Sequence, residues 1–229
     1  MKTLTFITIH PAFIEAYCRF GVFRAAEKLG IQTHAINLRN FAVDKHGSVD
    51  DTPFGGGDGM VLRPEPLAEA VKAIQGSKKV IYTSPSGKLW KQSMAEAYAQ
   101  SEVDHLVFIA GRFAGVDQRF LDRYVDEEIS LGDFVVSGGE LPCLLMADSI
   151  LRQVPGVLGN AQSAKEDSFS GALKGLLEYP LYTKPPIFEG AQVPDVLLSG
   201  DHQKILEWRR QQTLEKTRRL RPDLSRTEN

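Results

Sequence analysis

The chain has 229 residues, of which 42% are hydrophobic and 24% charged. That balance excludes an intrinsically disordered chain, which would bury too little apolar surface to offset its ordering entropy. The formal net charge is −2, but Asp201–Asn229 holds eight Lys/Arg against five Asp/Glu, a net of +3, which leaves −5 on the first 200 residues. A near-neutral body with a basic tail suits an anionic partner for the tail, or simply a solvated amphipathic helix.

Taken in chain order, Leu4–Ile9 reads as a buried strand. Phe13–Leu29 has helical spacing, broken near Gly21 and stopped at Gly30. Thr33–Leu38 is a second strand, and Glu65–Gln75 a helix opened by Pro64. Lys79–Thr83 is a strand, Lys88–Ala99 a helix, Leu106–Ala110 a strand, Asp117–Tyr124 a helix and Glu140–Gln153 another. Short apolar runs alternating with helical patterns predict an α/β fold with a mostly parallel sheet covered on both faces. Residues 155–172, PGVLGNAQSAKEDSFSGA, change the pattern and read as a linker. Asp167 and Ser168 then precede a helical pattern over Phe169–Glu178, where either could serve as N-cap. Four prolines follow, and a last helix runs from Asp201 to about Leu220, giving a small, mainly helical C-terminal domain.

Cys18 and Cys143 are too far apart in sequence for a zinc spacing and too few for a disulfide framework, which fits a reducing compartment. No apolar run approaches the roughly 20 residues a membrane span needs. The opening MKTLTFITIH lacks the long apolar stretch and small-residue site of a signal peptide. These features predict a cytoplasmic protein. His10, His34, His46, His105 and His202 show no metal-ligand spacing, so no metal site is expected. No nucleophile elbow is present either.

The chemistry-bearing segments are loops. Asp44–Met60, DKHGSVDDTPFGGGDGM, holds glycines that let backbone approach a ligand or hinge. It matches neither the Walker pattern nor the GxGxxG fingerprint. Tyr82-Thr83-Ser84-Pro85 and Gly111-Arg112-Phe113-Ala114-Gly115 each follow a strand, and LGDFVVSGGELP (131–142) follows an acidic run. At one sheet edge they would offer main-chain groups and aromatic walls to a flat heterocycle.

The segments VDDTPFGGGDGM, LGDFVVSGGELP, VPGVLG, EDSF and VLLSGDH, in this order and spacing, closely resemble the bacterial TrmD family of tRNA (guanine-N1)-methyltransferases, of the SPOUT class. The resemblance spans nearly the whole chain. It implies an α/β domain with a deep trefoil knot over residues 1–160, binding S-adenosyl-L-methionine. An interdomain linker would occupy 161–172 and a helical tRNA-binding domain 173–229. It also implies a homodimer, and transfer of a methyl group to N1 of guanosine 37 of tRNA, 3′ of the anticodon. Mg²⁺ is a possible second cofactor, and the sequence does not decide its requirement.

Carried over residue by residue, the resemblance assigns the cofactor to Tyr82, Thr83, Ser84, Pro85, Gly111, Arg112, Phe113 and Gly115. From the third loop it adds Leu131, Gly132, Asp133, Phe134, Val135, Val136, Ser137, Gly138, Gly139 and Pro142. Arg152 and Asp167 match the catalytic pair, and Asp50, Gly57, Gly59, Ser163, Ser168 and Phe169 the substrate-facing positions. Basic residues from Lys204 to Arg221 would meet the RNA backbone. The sequence departs from the family pattern at Ala114, where Glu is frequent, at Leu181 and Lys184, where His and Arg are common, and at Asp58, where Pro is. Two rivals stand beside this reading: a non-catalytic RNA-binding protein, and a nucleotide-dependent oxidoreductase, for which the fingerprint is missing.

Overall fold

Strands that are apolar on both faces need cover on both, and this chain supplies it with helices. The computed structural model describes residues 1–159 and 167–226. The chain divides into two units, Met1–Gly159 and Asn160–Asn229.

The first unit holds a five-stranded sheet in the order β2-β1-β6-β5-β7. These strands are β1 (Thr3–Thr8), β2 (Gln32–Asn37), β5 (Lys79–Leu89), β6 (His105–Ile109) and β7 (Glu127–Ser130). Every pairing in it is parallel. A two-stranded antiparallel ribbon, β3 (Asp50–Asp51) and β4 (Val61–Leu62), brackets the glycine loop. Six helices join the strands: α1 (Pro11–Cys18), α2 (Gly21–Lys28), α3 (Pro64–Ala73), α4 (Gln92–Gln100), α5 (Gln118–Tyr124) and α6 (Glu140–Leu151).

The alternation along each strand sorts the core into two layers. Leu4, Phe6, Ile81, Leu106 and Phe108 pack with residues of α1, α2, α4 and α6. Ile7, Val80, Tyr82, Val107 and Ile109 face α3 and α5. Phe6 and Phe108 stack at 5.2 Å between centroids, binding β1 to β6 on the first face.

Local rules account for the ends of these elements. Pro11 starts α1, where a missing N–H costs nothing. The chain breaks between α1 and α2 at Gly21, which sits at φ +57, a conformation that favours glycine. Asp117 caps α5 by accepting from the Arg119 N–H.

The expected helix over Lys88–Ala99 begins only at Gln92, because Lys88 and Leu89 pair with Ile129 and Ser130 of β7. β7 itself was not expected. Its acidic start is satisfied laterally: Lys79 pairs with Glu127, and the Tyr98 hydroxyl donates to Glu127 at 2.9 Å.

In the second unit the expected helix over Phe169–Glu178 does not form. Its place is taken by a series of turns, with Ser170 O accepting from both Leu173 and Gly175. Phe169 and Lys174 lie at φ +69 and +53, outside helical space. A hairpin of Ile187–Phe188 and Ala191–Gln192 precedes a short helix, Asp195–Leu198, and the long C-terminal helix His202–Leu220. Asp201 caps that helix by accepting from the Lys204 N–H. Among the described residues no helix is long and apolar enough to cross a membrane.

Candidate active site

The expected strand Lys79–Thr83 runs on to Leu89, so Tyr82–Pro85 lie within β5, at its register shift against β7, and not in a loop after it; there they meet the loops that follow β6 and β7. They enclose a cleft of about 190 Å³. Tyr82–Pro85 form one side and Gly111–Gly115 another, and the third loop closes it from Ile129 to Gly139, with Pro142 of α6. Of the residues assigned to the cofactor from sequence, Asp133 alone falls outside the lining; its side chain points to solvent. Ile129, Ser130 and Ala114 also line the cleft. The first two belong to the strand hidden by its acidic start.

Glycine is structurally required at two points. A Cβ at Gly111 would stand 2.8 Å from the Tyr82 ring. A Cβ at Gly139 would stand 2.6 Å from Gly111 N and 2.8 Å from Ala110 Cα. The Gly139 N–H also donates to Gly111 O at 2.8 Å. The third loop therefore enters α6 pressed against the end of β6. Beneath it, burial pushes the Tyr82 hydroxyl up to about 12, with Glu128 and Cys143 adding to the effect. The fully buried Cys143 thiol is likewise pushed to about 12 by burial. Tyr82 therefore stays a neutral donor at neutral pH, and Cys143 is no nucleophile.

The glycine loop reaches the rim of this cleft. Ala114 N–H donates to Met60 O at 2.8 Å, Leu62 N–H to Gly115 O at 2.9 Å, and Asp117 N–H to Leu62 O at 3.0 Å. A Cβ at Gly59 would lie 3.5 Å from that of Ala114. Gly57 and Gly59 hold φ +118 and +92, and Asp50 sits half-buried in β3.

Arg152 is the half-buried residue that ends α6, its N–H donating to Asp148 O at 3.0 Å. Burial raises the Asp148 carboxyl, and the positive charge of Arg152 opposes that rise.

Asp167 is half-buried and its carbonyl accepts from the Ser170 N–H at 3.1 Å. The Ser168 hydroxyl accepts from the Glu178 N–H at 2.9 Å, so it closes the turn series rather than capping a helix. Phe169 is 41% exposed and carries Arg221 over its ring at 6.0 Å. Ser163 lies outside the described residues.

On the C-terminal helix, Lys216 donates to Glu178 O, Arg209 stacks on Tyr179 and Arg221 pairs with Asp223. Those three brace the unit itself, whereas Arg210, Arg218 and Arg219 are exposed.

The family model described as tRNA (Guanine-1)-methyltransferase TrmD matches residues 1–227. This chain belongs to that family. Among its curated relatives, a tRNA (guanine-N(1)-)-methyltransferase of Alcanivorax borkumensis is 48% identical, over 96% of this chain and 84% of the relative. One of Brevibacillus brevis is 52% identical over 88% of this chain and 82% of the relative. One of Neisseria meningitidis is 49% identical over 95% and 88%. TrmD-family membership makes the chain a methyltransferase and removes both rivals, since neither a silent RNA binder nor an oxidoreductase carries that activity.

Proposed function

We propose that the chain methylates N1 of guanosine 37 in tRNA with S-adenosyl-L-methionine, Asp167 acting as general base and Arg152 stabilising charge on O6. The observation that carries the cofactor assignment is the convergence of Tyr82–Pro85 of β5 and the loops after β6 and β7 on one glycine-lined cleft. The cleft suits an adenosine. Leu131, Phe134 and Val136 give apolar walls, while Gly111, Gly132 and Gly139 leave backbone accessible to a heterocycle. When bound, S-adenosylmethionine supplies a methyl group on a cationic sulfur.

Guanine N1 carries a proton, and its lone pair is delocalised into the ring, so it is a weak nucleophile until that proton leaves. In this reading Asp167 accepts the proton. Loss of the proton shifts negative charge to O6, which Arg152 meets with its guanidinium. The target base leaves its stack to enter the cleft, as base-modifying enzymes require. Arg210, Arg218 and Arg219 give the C-terminal helix a cationic surface for the RNA backbone, adding affinity without reading sequence.

The proposal extends to domain roles: a cofactor-binding unit over residues 1–160, a linker over 161–172 and an RNA-binding unit over 173–229. It includes the trefoil knot. The close packing of Gly139 on Gly111 N and Thr83 Oγ1 supports that reading, since it holds the start of α6 against β5 and the end of β6. It also includes a homodimer. Phe13 and Tyr17 of α1, Phe20 after it, and Leu141 and Leu145 of the adjoining α6 are all at least 40% exposed, an apolar face that a second copy would cover.

The test is methyl transfer from radiolabelled S-adenosylmethionine to two tRNA transcripts, one with G and one with A at position 37. Label on the first alone is expected, and Asp167→Asn should cost about 10²–10⁴-fold in rate. Equal label on both transcripts would refute the assigned target base. A wild-type rate in Asp167→Asn would refute the assigned base catalyst. Repeating the assay with a chelator reads whether Mg²⁺ is needed.

A further inference from the structure

Thr8, Arg112 and Glu140 come from three separate chain segments and meet beside the cleft. Glu140 is the first residue of α6 and is 5% exposed; Thr8 ends β1 and is 1% exposed. A carboxylate at that depth is costly unless it is paired and hydrogen-bonded. The helix N-terminus supplies part of the compensation. The rest is specific. The Thr8 hydroxyl lies 2.8 Å from Glu140 Oε1, and its oxygen already accepts the His10 N–H at 2.9 Å, so its proton goes to Glu140. Arg112 Nε lies 3.8 Å from the same Glu140 oxygen, and Arg112 Nη1 donates to Ser137 O at 2.6 Å.

The guanidinium therefore spans from a buried carboxylate to the main chain of the third loop, and a rigid fork fixes both ends at once. Gly138 reports how closely the loop rests on this pair. A Cβ there would stand 2.5 Å from Glu140 Oε2 and 2.6 Å from Arg112 Nη1. Ser137 and Gly138 line the cleft, whereas Glu140 and Thr8 do not.

We infer that Glu140, oriented by Thr8 and acting through Arg112, is a positioning residue that sets the conformation of the cofactor-binding loop Leu131–Gly139; this rests on the cofactor reading above. Glu140 itself reaches the ligand only through Arg112, which lines the cleft, and through the main chain at Ser137 and Gly138. Its loss therefore weakens cofactor binding while leaving the chemical step of the loaded enzyme intact.

The full-length enzyme with Glu140→Gln tests it. Glutamine keeps the volume and an acceptor for Thr8 but removes the charge that holds Arg112. The KM for S-adenosylmethionine is expected to rise about tenfold, with kcat at saturating cofactor within about twofold of wild type. Glu140→Asp, which restores the charge on a shorter arm, should recover part of the affinity. Thr8→Val, which leaves the ion pair and removes its orienting donor, should give a smaller rise in the same parameter. Calorimetric titration of each variant with S-adenosylmethionine provides the parallel binding constant.

An unchanged KM in Glu140→Gln overturns the inference, as does a loss confined to kcat. If Glu140→Gln fails to fold, Thr8→Val decides the matter by the same split between KM and kcat. A wild-type protein that binds no S-adenosylmethionine would overturn the cofactor reading itself. A wild type that binds it, beside a Glu140→Gln that binds equally well, overturns only the positioning role.

Discussion

Replacing Gly139 by alanine tests one close crossing of the chain. The residue sits at φ −77 and ψ −5, which alanine adopts freely, and it is the N-cap of α6, where alanine is poorer than glycine by up to about 1 kcal/mol. Backbone strain therefore adds nothing, and any loss beyond that cap difference is steric. The new methyl would stand 2.6 Å from Gly111 N, 2.8 Å from Ala110 Cα and 2.7 Å from Thr83 Oγ1. Two of the three are main-chain atoms at the end of a central strand, so no side-chain rotation relieves the overlap. Forcing them apart belongs to the class of overpacking changes that cost about 1–3 kcal/mol.

The displacement would also move Gly111 and Gly139, which both line the cleft, so S-adenosylmethionine binding should fall by at least about tenfold. Urea unfolding followed by circular dichroism measures the first effect, and calorimetric titration the second. Gly159→Ala is the control in the same unit, because no described residue lies within 4 Å of the added methyl. It should stay within about 0.5 kcal/mol of wild type. A Gly139→Ala protein as stable as the control, with unaltered cofactor affinity, would refute the close crossing of the third loop over β6.

His105 gives a pH signature. Burial lowers its pKa first, with the charges of His34 and Lys78 adding to the effect, and its Nε2 lies 2.8 Å from the Thr5 hydroxyl. A histidine whose folded pKa lies below its unfolded value of about 6.5 contributes stability that is complete above that value. The contribution is lost as pH falls through that window, so urea midpoints of His105→Gln should vary less between pH 7.5 and 5 than those of wild type; parallel profiles would refute the assignment. On the C-terminal helix, Arg218→Ala and Arg219→Ala should each weaken tRNA binding without changing base preference. Each should lower the slope of log affinity against log salt by about one; an unchanged slope in filter binding would remove these residues from the RNA surface.

The central sheet was legible in the residues because β1, β5 and β6 carry runs such as Leu4–Ile9 and Leu106–Ile109 that have no other means of burial. β7 was not. Its Glu127 and Glu128 read only as part of an acidic run until Lys79 and Tyr98 are placed beside the first of them, which is long-range information. The failed helix at Phe169–Glu178 has the opposite cause. Phe169, Leu173, Leu176 and Leu177 have helical spacing, but Gly171 and Gly175 allow turns, and the Phe169 N–H finds Leu176 O instead of a helical partner.

The candidate site was legible as three segments, and the resemblance joined them. What neither pattern nor motif revealed was why the glycines of SGGE are glycines. Read along the chain, Gly138 and Gly139 suggest freedom of movement. In the fold both keep negative or unremarkable backbone angles, and what they lack is room. Gly138 has no space beyond the Arg112–Glu140 pair, and Gly139 none beyond the end of β6. A glycine selected for flexibility tolerates alanine where φ is negative, whereas one selected for a crossing does not. The same two residues therefore argue that this loop is held rigid at the point where it meets the cofactor cleft.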